Sequence, residues 1–312
     1  MRALVTGADG FVGRWLVEHL TASGDDVWRA CGMKADHSGP QSVSVDLRDA
    51  DATLDVVAAS RPEAIFHLAG VAFGPDAQAA TAAALEITVG GTMNVMRAAA
   101  LLDTRPTVLI SSSGDVYGQP LGASPLSEDD PVAPVSAYGA SKAAQEMIAM
   151  AYDNAGVVPV VVARAFNHIG PGQRESFVVA SFAHQLAEIA AGGKEPILHV
   201  GNLHSERDFT DVRDVVAAYR LLVDRKLTGQ PYNVASGRPT SVDRIVRDLI
   251  ALSELDVEVV IDPNRMRTAD PPRIVGDAGR LRAATGWAPG IAFETTLRDV
   301  WRDALARAGA AS

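Results

Sequence analysis

The chain has 312 residues, 47% of them hydrophobic, and a formal net charge of -10 at pH 7. Its length and apolar content fit one large α/β domain or two smaller ones with a substantial core, and its net charge excludes electrostatic nucleic-acid binding by the protein as a whole. The single cysteine, Cys31, excludes an intrachain disulfide framework and makes a reducing cytoplasm the expected compartment.

The opening run Arg2-Ala3-Leu4-Val5 reads as a strand rather than the apolar core of a leader. No stretch approaches the ~18 uninterrupted apolar residues of a membrane span. Strands are expected at 3–6, 27–31, 42–45, 64–68, 107–111 and 158–163. They are short, apolar and mostly unalternating, as strands buried on both faces should be. Between them, helices are expected at 11–23, 51–60, 77–103 and 137–155. This alternation predicts an α/β fold with a Rossmann-type, doubly wound parallel sheet. After Asn167 the rhythm changes: a Gly170-Pro171-Gly172 loop, a helix at 176–191 and a late strand at 230–234. The tail, with Pro263, Pro271, Pro272 and Pro289, reads as short elements joined by turns. It is expected to form a smaller lobe over the carboxyl edge of the sheet, where open parallel sheets bind ligands.

Thr6-Gly7-Ala8-Asp9-Gly10-Phe11-Val12-Gly13 joins the first strand to the first helix, the context that a dinucleotide fingerprint requires. Gly7 permits the tight turn, Gly10 lets the backbone approach a pyrophosphate, and Gly13 allows close packing of the helix. The helix N-terminus adds amide donors and partial positive charge. The second strand ends Arg29-Ala30-Cys31-Gly32-Met33-Lys34, with no carboxylate before Asp36. Arg29 and Lys34 would suit a 2′-phosphate, which leans towards NADP(H) over NAD(H); alternatively both are solvated surface cations. Asp46-Leu47, ending the third strand, would meet the adenine edge, or Asp46 would cap the next helix.

Ser111-Ser112-Ser113-Gly114-Asp115 follows the fifth strand, where a hydroxyl can hold a substrate carbonyl. Tyr138 and Lys142, in Tyr138-Gly139-Ala140-Ser141-Lys142, stand one helical turn apart on one face. A neighbouring ammonium is expected to lower the phenol's pKa and make it a proton donor. His67, His168, His184, His199 and His204 form no ligand cluster in sequence, and no metal is expected.

Together these elements resemble the extended short-chain dehydrogenase/reductases that act on nucleotide sugars. Further marks of the resemblance are His67-Leu68-Ala69-Gly70, Arg164-Ala165-Phe166-Asn167, Arg207-Asp208-Phe209-Thr210-Asp211-Val212-Arg213-Asp214 and Gly286-Trp287-Ala288-Pro289. Phe166-Asn167-His168-Ile169-Gly170-Pro171-Gly172-Gln173-Arg174, followed by Phe177-Val178, looks like the GDP-4-keto-6-deoxy-mannose reductases. The resemblance implies an NAD(P)-binding domain at 1–166 and 208–235 and a nucleotide-sugar lobe at 167–207 and 236–312. It implies that Tyr138 protonates the sugar oxygen, Ser113 orients the carbonyl and Lys142 binds the nicotinamide ribose. Gly7, Gly10, Phe11, Val12 and Gly13 fall on the pyrophosphate turn, and Leu68, Ala69 and Gly70 fall where the fourth strand passes the coenzyme. Asp115, Asn167, Phe177, Val178, Arg207 and Arg267 fall on the substrate side, the arginines as donors to phosphate or ribose. For Arg207 the alternative is surface ion pairing with Glu206 or Asp208.

Departures from the group's pattern narrow the reaction. Dehydratases carry an acid-base pair, or a Glu, where this chain has Gly114 and Asp115, which disfavours dehydration. Cys31 lies away from the position that a GDP-fucose synthase needs. Thr88 and Thr268 replace the group's usual Asn and Pro. The implied activity is NAD(P)H-dependent reduction of a GDP-4-dehydro-6-deoxy-hexose. Alternatives are a nucleotide-sugar 4-epimerase or dehydratase with retained NAD, and a non-catalytic dinucleotide-binding protein, against which the intact Ser113, Tyr138 and Lys142 argue. Relatives dimerise through a four-helix bundle of the helices at 77–102 and 137–155, so a homodimer is expected; alternatively both helices simply cover the sheet.

Overall fold

The computed structural model describes residues 1–33, 41–72, 74–119, 122, 124–266 and 271–310. Lys34, Asp36, Arg267 and Thr268 lie outside the described residues. In chain order the strands are β1 (Arg2–Thr6), β2 (Asp26–Cys31), β3 (Ser42–Ser44), β4 (Ala64–His67), β5 (Thr107–Ser113), β6 (Val160–Ala165) and β7 (Asn167–Ile169). They continue with β8 (Ile197–Val200), β9 (Glu206–Asp211), β10 (Pro231–Val234), β11 (Pro239–Ser241), β12 (Glu258–Ile261) and β13 (Arg273–Ile274). The helices are α1 (Phe11–Ala22), α2 (Ala50–Ser60), α3 (Gly74–Ala79), α4 (Thr81–Leu85), α5 (Gly91–Ala100) and α6 (Ala137–Asn154). After them come α7 (Val178–Ala190), α8 (Val212–Asp224), α9 (Val242–Ser253), α10 (Gly279–Thr285) and α11 (Phe293–Ala310).

Seven parallel strands form the main sheet in the order β3-β2-β1-β4-β5-β6-β10. From β1 the chain runs outward through β2 to β3, then crosses to β4 on the other side of β1. That reversal opens a crevice at the carboxyl ends of β1 and β4. Successive strand residues point to opposite faces, and both faces are covered. Ala3, Val5, Phe66, Leu109 and Val161 pack with Leu16 and Leu20 of α1 and Val215, Tyr219 and Leu222 of α8. Leu4, Ile65, Val108, Ile110 and Val160 pack with Val57 of α2, Val95 and Met96 of α5 and Ala149 of α6. Double-sided burial explains why these strands lack alternation.

The expected helix at 77–103 is a correction. It is divided into α3, α4, a π-helical segment Glu86–Gly90 and α5. Three β-branched residues, Ile87-Thr88-Val89, precede Gly90-Gly91, a run that weakens the regular α-helical ladder. The wide turn carries the fully buried Thr88 inward, where its Oγ1 accepts from the Val71 amide at 3.2 Å. Such bulges recur at functional sites. A second difference concerns the serines expected after the fifth strand. They are the last residues of β5, with Ser112 opposite Arg164 and Ser113 opposite Ala165 on β6.

Only Phe166 separates β6 from β7, so the main sheet hands the chain directly to smaller C-terminal sheets. There β9 pairs with β7, β11 and β13, while β8 pairs with β12. Helices α7, α9 and α11 close a separate apolar cluster through Phe182, Leu186, Ile245, Leu249, Leu297 and Trp301. The Gly286-Trp287 motif ties this region to α8: Trp287 Nε1 donates to the Asp214 carbonyl at 3.1 Å. Asp208 is buried and accepts from Ser236, Gly237 and Gly276. Among the described residues no helix is long and apolar enough to cross a membrane.

Candidate active site

The glycine turn lies against the end of β4. Gly7 adopts a left-handed φ of +67°, and a Cβ there would sit 2.9 Å from the Ala69 nitrogen. Gly10 is extended and forms the N-cap of α1. A Cβ on Gly10 would meet only the Gly7 carbonyl, at 3.1 Å, whereas one on Gly13 would lie 2.1 Å from that same oxygen. Gly13 therefore lets α1 rest directly on the turn. The amides of Phe11, Val12 and Gly13 precede the first intrahelical bond, from Arg14 N to Gly10 O at 3.0 Å. Bare backbone backed by a helix N-terminus fits a dinucleotide pyrophosphate. Leu68 and Ala69 border this turn, their amides donating to the carbonyl and hydroxyl of Thr6. The Phe11 ring stacks on His168 at 6.2 Å and 6°, joining α1 to β7.

Beyond the turn, Arg29 stands on β2, half-buried. Sequence reading sought a carboxylate on this strand and missed Asp9. From the glycine turn, Asp9 reaches across and accepts from the Gly32 amide at 3.1 Å. Asp46 does not cap α2; Asp49 does, accepting from the Asp51 and Ala52 amides. Instead, the Arg48 guanidinium grips Asp46 at 2.6–3.1 Å and holds its carboxyl below the usual range. The Leu47 carbonyl accepts from Asn94 of α5 at 2.8 Å.

Helix α6 starts at a Ser136 cap, whose hydroxyl accepts from the Gly139 amide at 3.0 Å. A Cβ on Gly139 would lie 2.6 Å from the Asp115 carbonyl. This close approach brings Tyr138 beside Ser113 and Asp115. Burial pushes the phenol's pKa up and the Asp115 carboxylate pushes it further, while a hydrogen bond with Ser113 draws it down. The sequence expectation of a lowered phenol pKa is thus corrected. The Lys142 ammonium donates to the Ser111 carbonyl at 2.7 Å and to Gln145 Oε1 at 3.1 Å. Burial pushes Lys142 itself down to about 8, against the nearby Glu146 carboxylate. Its Nζ lies 3.6 Å from where a Gly70 Cβ would stand, so it borders the same crevice as the glycine turn.

Behind these groups lies a buried polar network that sequence reading did not anticipate. Glu146, one turn beyond Lys142, accepts from Ser112 and from Arg164 at 2.8–3.2 Å. Arg164 also donates to the Tyr117 hydroxyl at 3.0 Å, and Tyr117 donates to Asn233 at 2.7 Å. The two charges are nearly inaccessible, at 5% and 6% exposure, and each is compensated by the other.

Asn167 opens β7 opposite Phe209 of β9, the strand that also carries Arg207. Arg207 is buried and donates to the Glu206 carbonyl at 2.8 Å. The Glu206 carboxylate pairs with Arg273 at 2.7 Å. Phe177 is the N-cap of α7, and Val178, its first residue, is packed against the apolar cluster closed by α7, α9 and α11. The structure gathers the glycine turn, residues 68–70, Ser113, Tyr138, Lys142 and Asn167 at one sheet edge, with Arg207 on the neighbouring strand.

The chain is similar to known proteins over nearly its whole length. Residues 4–300 match the family model described as GDP-mannose 4,6 dehydratase. The GDP-6-deoxy-D-mannose reductase of Pseudomonas aeruginosa is 37% identical, over 97% of this chain and 96% of that protein. A UDP-glucose 4-epimerase of Mycolicibacterium smegmatis is 34% identical, over 94% and 95%. The solved structure of RMD from Pseudomonas aeruginosa, complexed with NADPH, superposes with a TM-score of 0.88 at 35% identity, covering 98% of this chain and 100% of that one.

Proposed function

The chain belongs to the GDP-mannose 4,6 dehydratase family, extended short-chain dehydrogenase/reductases of nucleotide sugars, and on that premise we propose that it reduces the C4 ketone of a GDP-4-dehydro-6-deoxy-hexose. With GDP-4-dehydro-6-deoxy-D-mannose the product is GDP-D-rhamnose or its C4 epimer. The observation that carries this reading is the phenol of Tyr138 in hydrogen-bond contact with Ser113 at the carboxyl end of β5, one helical turn from Lys142. A bound NAD(P)H supplies a hydride to the ketone carbon. Ser113 holds the ketone oxygen, and Tyr138 gives that oxygen its phenolic proton, so that C=O becomes CH–OH. An alkoxide is a far stronger base than a phenolate, so a phenol with a raised pKa still protonates it. Lys142 binds the nicotinamide ribose, Asp115 and Asn167 contact the sugar diphosphate side, and Arg207 pairs with phosphate.

Gly114 supports reduction over dehydration. It carries no carboxylate, and a Cβ there would already stand 3.0 Å from the Phe166 ring. For the coenzyme we favour NADP(H), which Arg29 suits and which the Pseudomonas aeruginosa relative binds as NADPH; the Asp9 carboxylate weighs towards NAD(H). We assign the coenzyme to the main sheet and the nucleotide sugar to the region of the smaller sheets. We also propose a homodimer through the helices before and including α5, with α6. Exposed Leu85, Ile87, Met93, Leu101 and Met147 on these segments support it.

A second reading, a nucleotide-sugar 4-epimerase, is favoured by the 34% identity to the Mycolicibacterium smegmatis enzyme. An epimerase retains its coenzyme through the cycle, so coenzyme that survives gel filtration would count for it. The test is incubation with GDP-mannose, a 4,6-dehydratase and NADPH or NADH. The reductase reading expects loss of the keto sugar with matching coenzyme oxidation, and loss of turnover but not coenzyme binding in Tyr138→Phe. An unconsumed keto sugar with both coenzymes overturns it.

A further inference from the structure

Lys142 lies at one end of a hydrogen-bonded chain that runs to the first strand. Its Nζ donates to Gln145 Oε1 at 3.1 Å, and Gln145 Nε2 donates to Thr92 Oγ1 at 2.9 Å. Thr92 Oγ1 spends its own proton on the Thr88 carbonyl at 2.6 Å. Its lone pairs therefore receive Gln145 Nε2 and, at 3.0 Å, His67 Nε2. His67 thus carries its proton on Nε2, and its Nδ1 accepts from Thr6 Oγ1 at 2.8 Å. Thr6 Oγ1 in turn accepts from the Ala69 amide at 3.3 Å. Each hydroxyl in this chain thus has its single proton committed, Thr92's to the Thr88 carbonyl and Thr6's to His67.

This direction of donation fixes the Gln145 amide. Turned end for end, its NH2 would face an ammonium and its oxygen a Thr92 lone pair, two repulsive contacts. Gln145, Thr92 and His67 are all completely buried, so water is not at hand to repair either. We propose that Gln145 is the positioning residue of Lys142: its locked Oε1 takes one ammonium N–H, the Ser111 carbonyl takes the second, and the third is left for the crevice beside Gly70. The π-helical segment is part of the device, since it presents the Thr88 carbonyl that consumes the Thr92 proton. Burial pushes His67 down to about 3, so the imidazole stays a neutral spacer at working pH.

The titratable groups around Lys142 are few. Glu146 lies on its own helix and is bound by Arg164 of β6; His67 faces it from β4. Tyr219 of α8 reaches Ser111, and Asp115 acts on Tyr138. A charge introduced at position 145 is therefore read by Lys142 more directly than by any other amine.

The chain has four lysines, so the Lys142 ammonium can be followed by NMR of 13Cε-labelled lysine without any substrate. Gln145→Leu removes an acceptor from the charged form and is expected to lower the Lys142 midpoint by about one pH unit; the nearly isosteric Gln145→Glu should raise it by at least as much. The alkaline limb of kcat should move in the same two directions. A purely structural role would reduce activity in both variants without opposite shifts. Midpoints within about 0.2 units of wild type in both variants would overturn the assignment, and Gln145→Glu alone suffices if the leucine variant fails to fold. The assignment rests on the proposed function only for its catalytic consequence. Opposite shifts in a protein that leaves the keto sugar untouched would support Gln145's role and refute only the substrate reading.

Discussion

Replacing Gly13 by alanine sets two effects of opposite sign against each other. In a helix interior Ala is favoured over Gly by about 1 kcal/mol. The new Cβ, however, would stand 2.1 Å from the Gly7 carbonyl, 2.8 Å from Ala8 Cα and 2.9 Å from the Ala8 carbonyl carbon. All three are backbone atoms, so no rotamer change relieves the overlap, and the start of α1 must retreat by roughly 1 Å to recover an ordinary contact. Overpacking of this kind costs ~1–3 kcal/mol even where side chains can yield, so the clash should win. Urea unfolding should give Gly13→Ala a net loss of about 1–3 kcal/mol. Fluorescence titration should give at least tenfold weaker coenzyme binding, since the displaced amides are those to which the proposed site assigns the pyrophosphate. Gly10→Ala is the control. Its Cβ meets one oxygen at 3.1 Å and it should lose no more than ~1 kcal/mol of stability, the difference between Gly and Ala as an N-cap. Its bare face is nonetheless covered, so coenzyme binding should weaken without much loss of fold. A Gly13→Ala protein as stable as wild type, with unchanged coenzyme affinity, would refute the reasoning.

Asp9→Ser removes a carboxylate from the end of β2 and should raise the ratio of kcat/KM for NADPH over NADH by roughly fivefold, the equivalent of ~1 kcal/mol; an unchanged ratio would dissociate Asp9 from coenzyme choice. Arg164→Met leaves the buried Glu146 carboxylate unpaired and should cost ~3–5 kcal/mol in denaturant unfolding, whereas a loss under 1 kcal/mol would mean that the pair is not desolvated as described. Because Lys142 is pushed down to about 8, its charge is lost as pH rises through that value, well below the ordinary lysine range. Turnover should therefore decline above about pH 8 with a single alkaline limb, Tyr138 remaining protonated throughout; a profile flat to pH 9.5 would contradict the assignment.

Much of the scaffold was legible because it follows from local rules. The glycine spacing at residues 7, 10 and 13 needs a strand before it and a helix after it, and both are there. The unalternating strands announced a sheet covered on both faces. The helix at 77–103 misled because its alanines mask a run of three β-branched residues, whose consequence is a π-helical segment rather than a break. Thr92 and Gln145 were invisible for another reason: they are 53 positions apart, and only folding makes them neighbours. The Tyr138 shift runs opposite to expectation because sequence displays a lysine one turn away but not the burial of the phenol or the Asp115 carboxylate that folding sets beside it. Asp9 was missed because a carboxylate was sought along β2, while the turn of β1 delivers one to the same place.

The central claim is that Tyr138 completes the reduction of a sugar ketone with hydride from a dissociable coenzyme. Its most direct test follows the hydrogen itself. The protein would be incubated with enzymatically generated GDP-4-dehydro-6-deoxy-mannose and NADPH dideuterated at C4 of the nicotinamide, and the product examined by NMR. The account predicts one deuterium at C4 of the hexose for each coenzyme oxidised, and none with Tyr138→Phe. A sugar that remains a ketone, or a C4 alcohol formed without deuterium from the coenzyme, would contradict it.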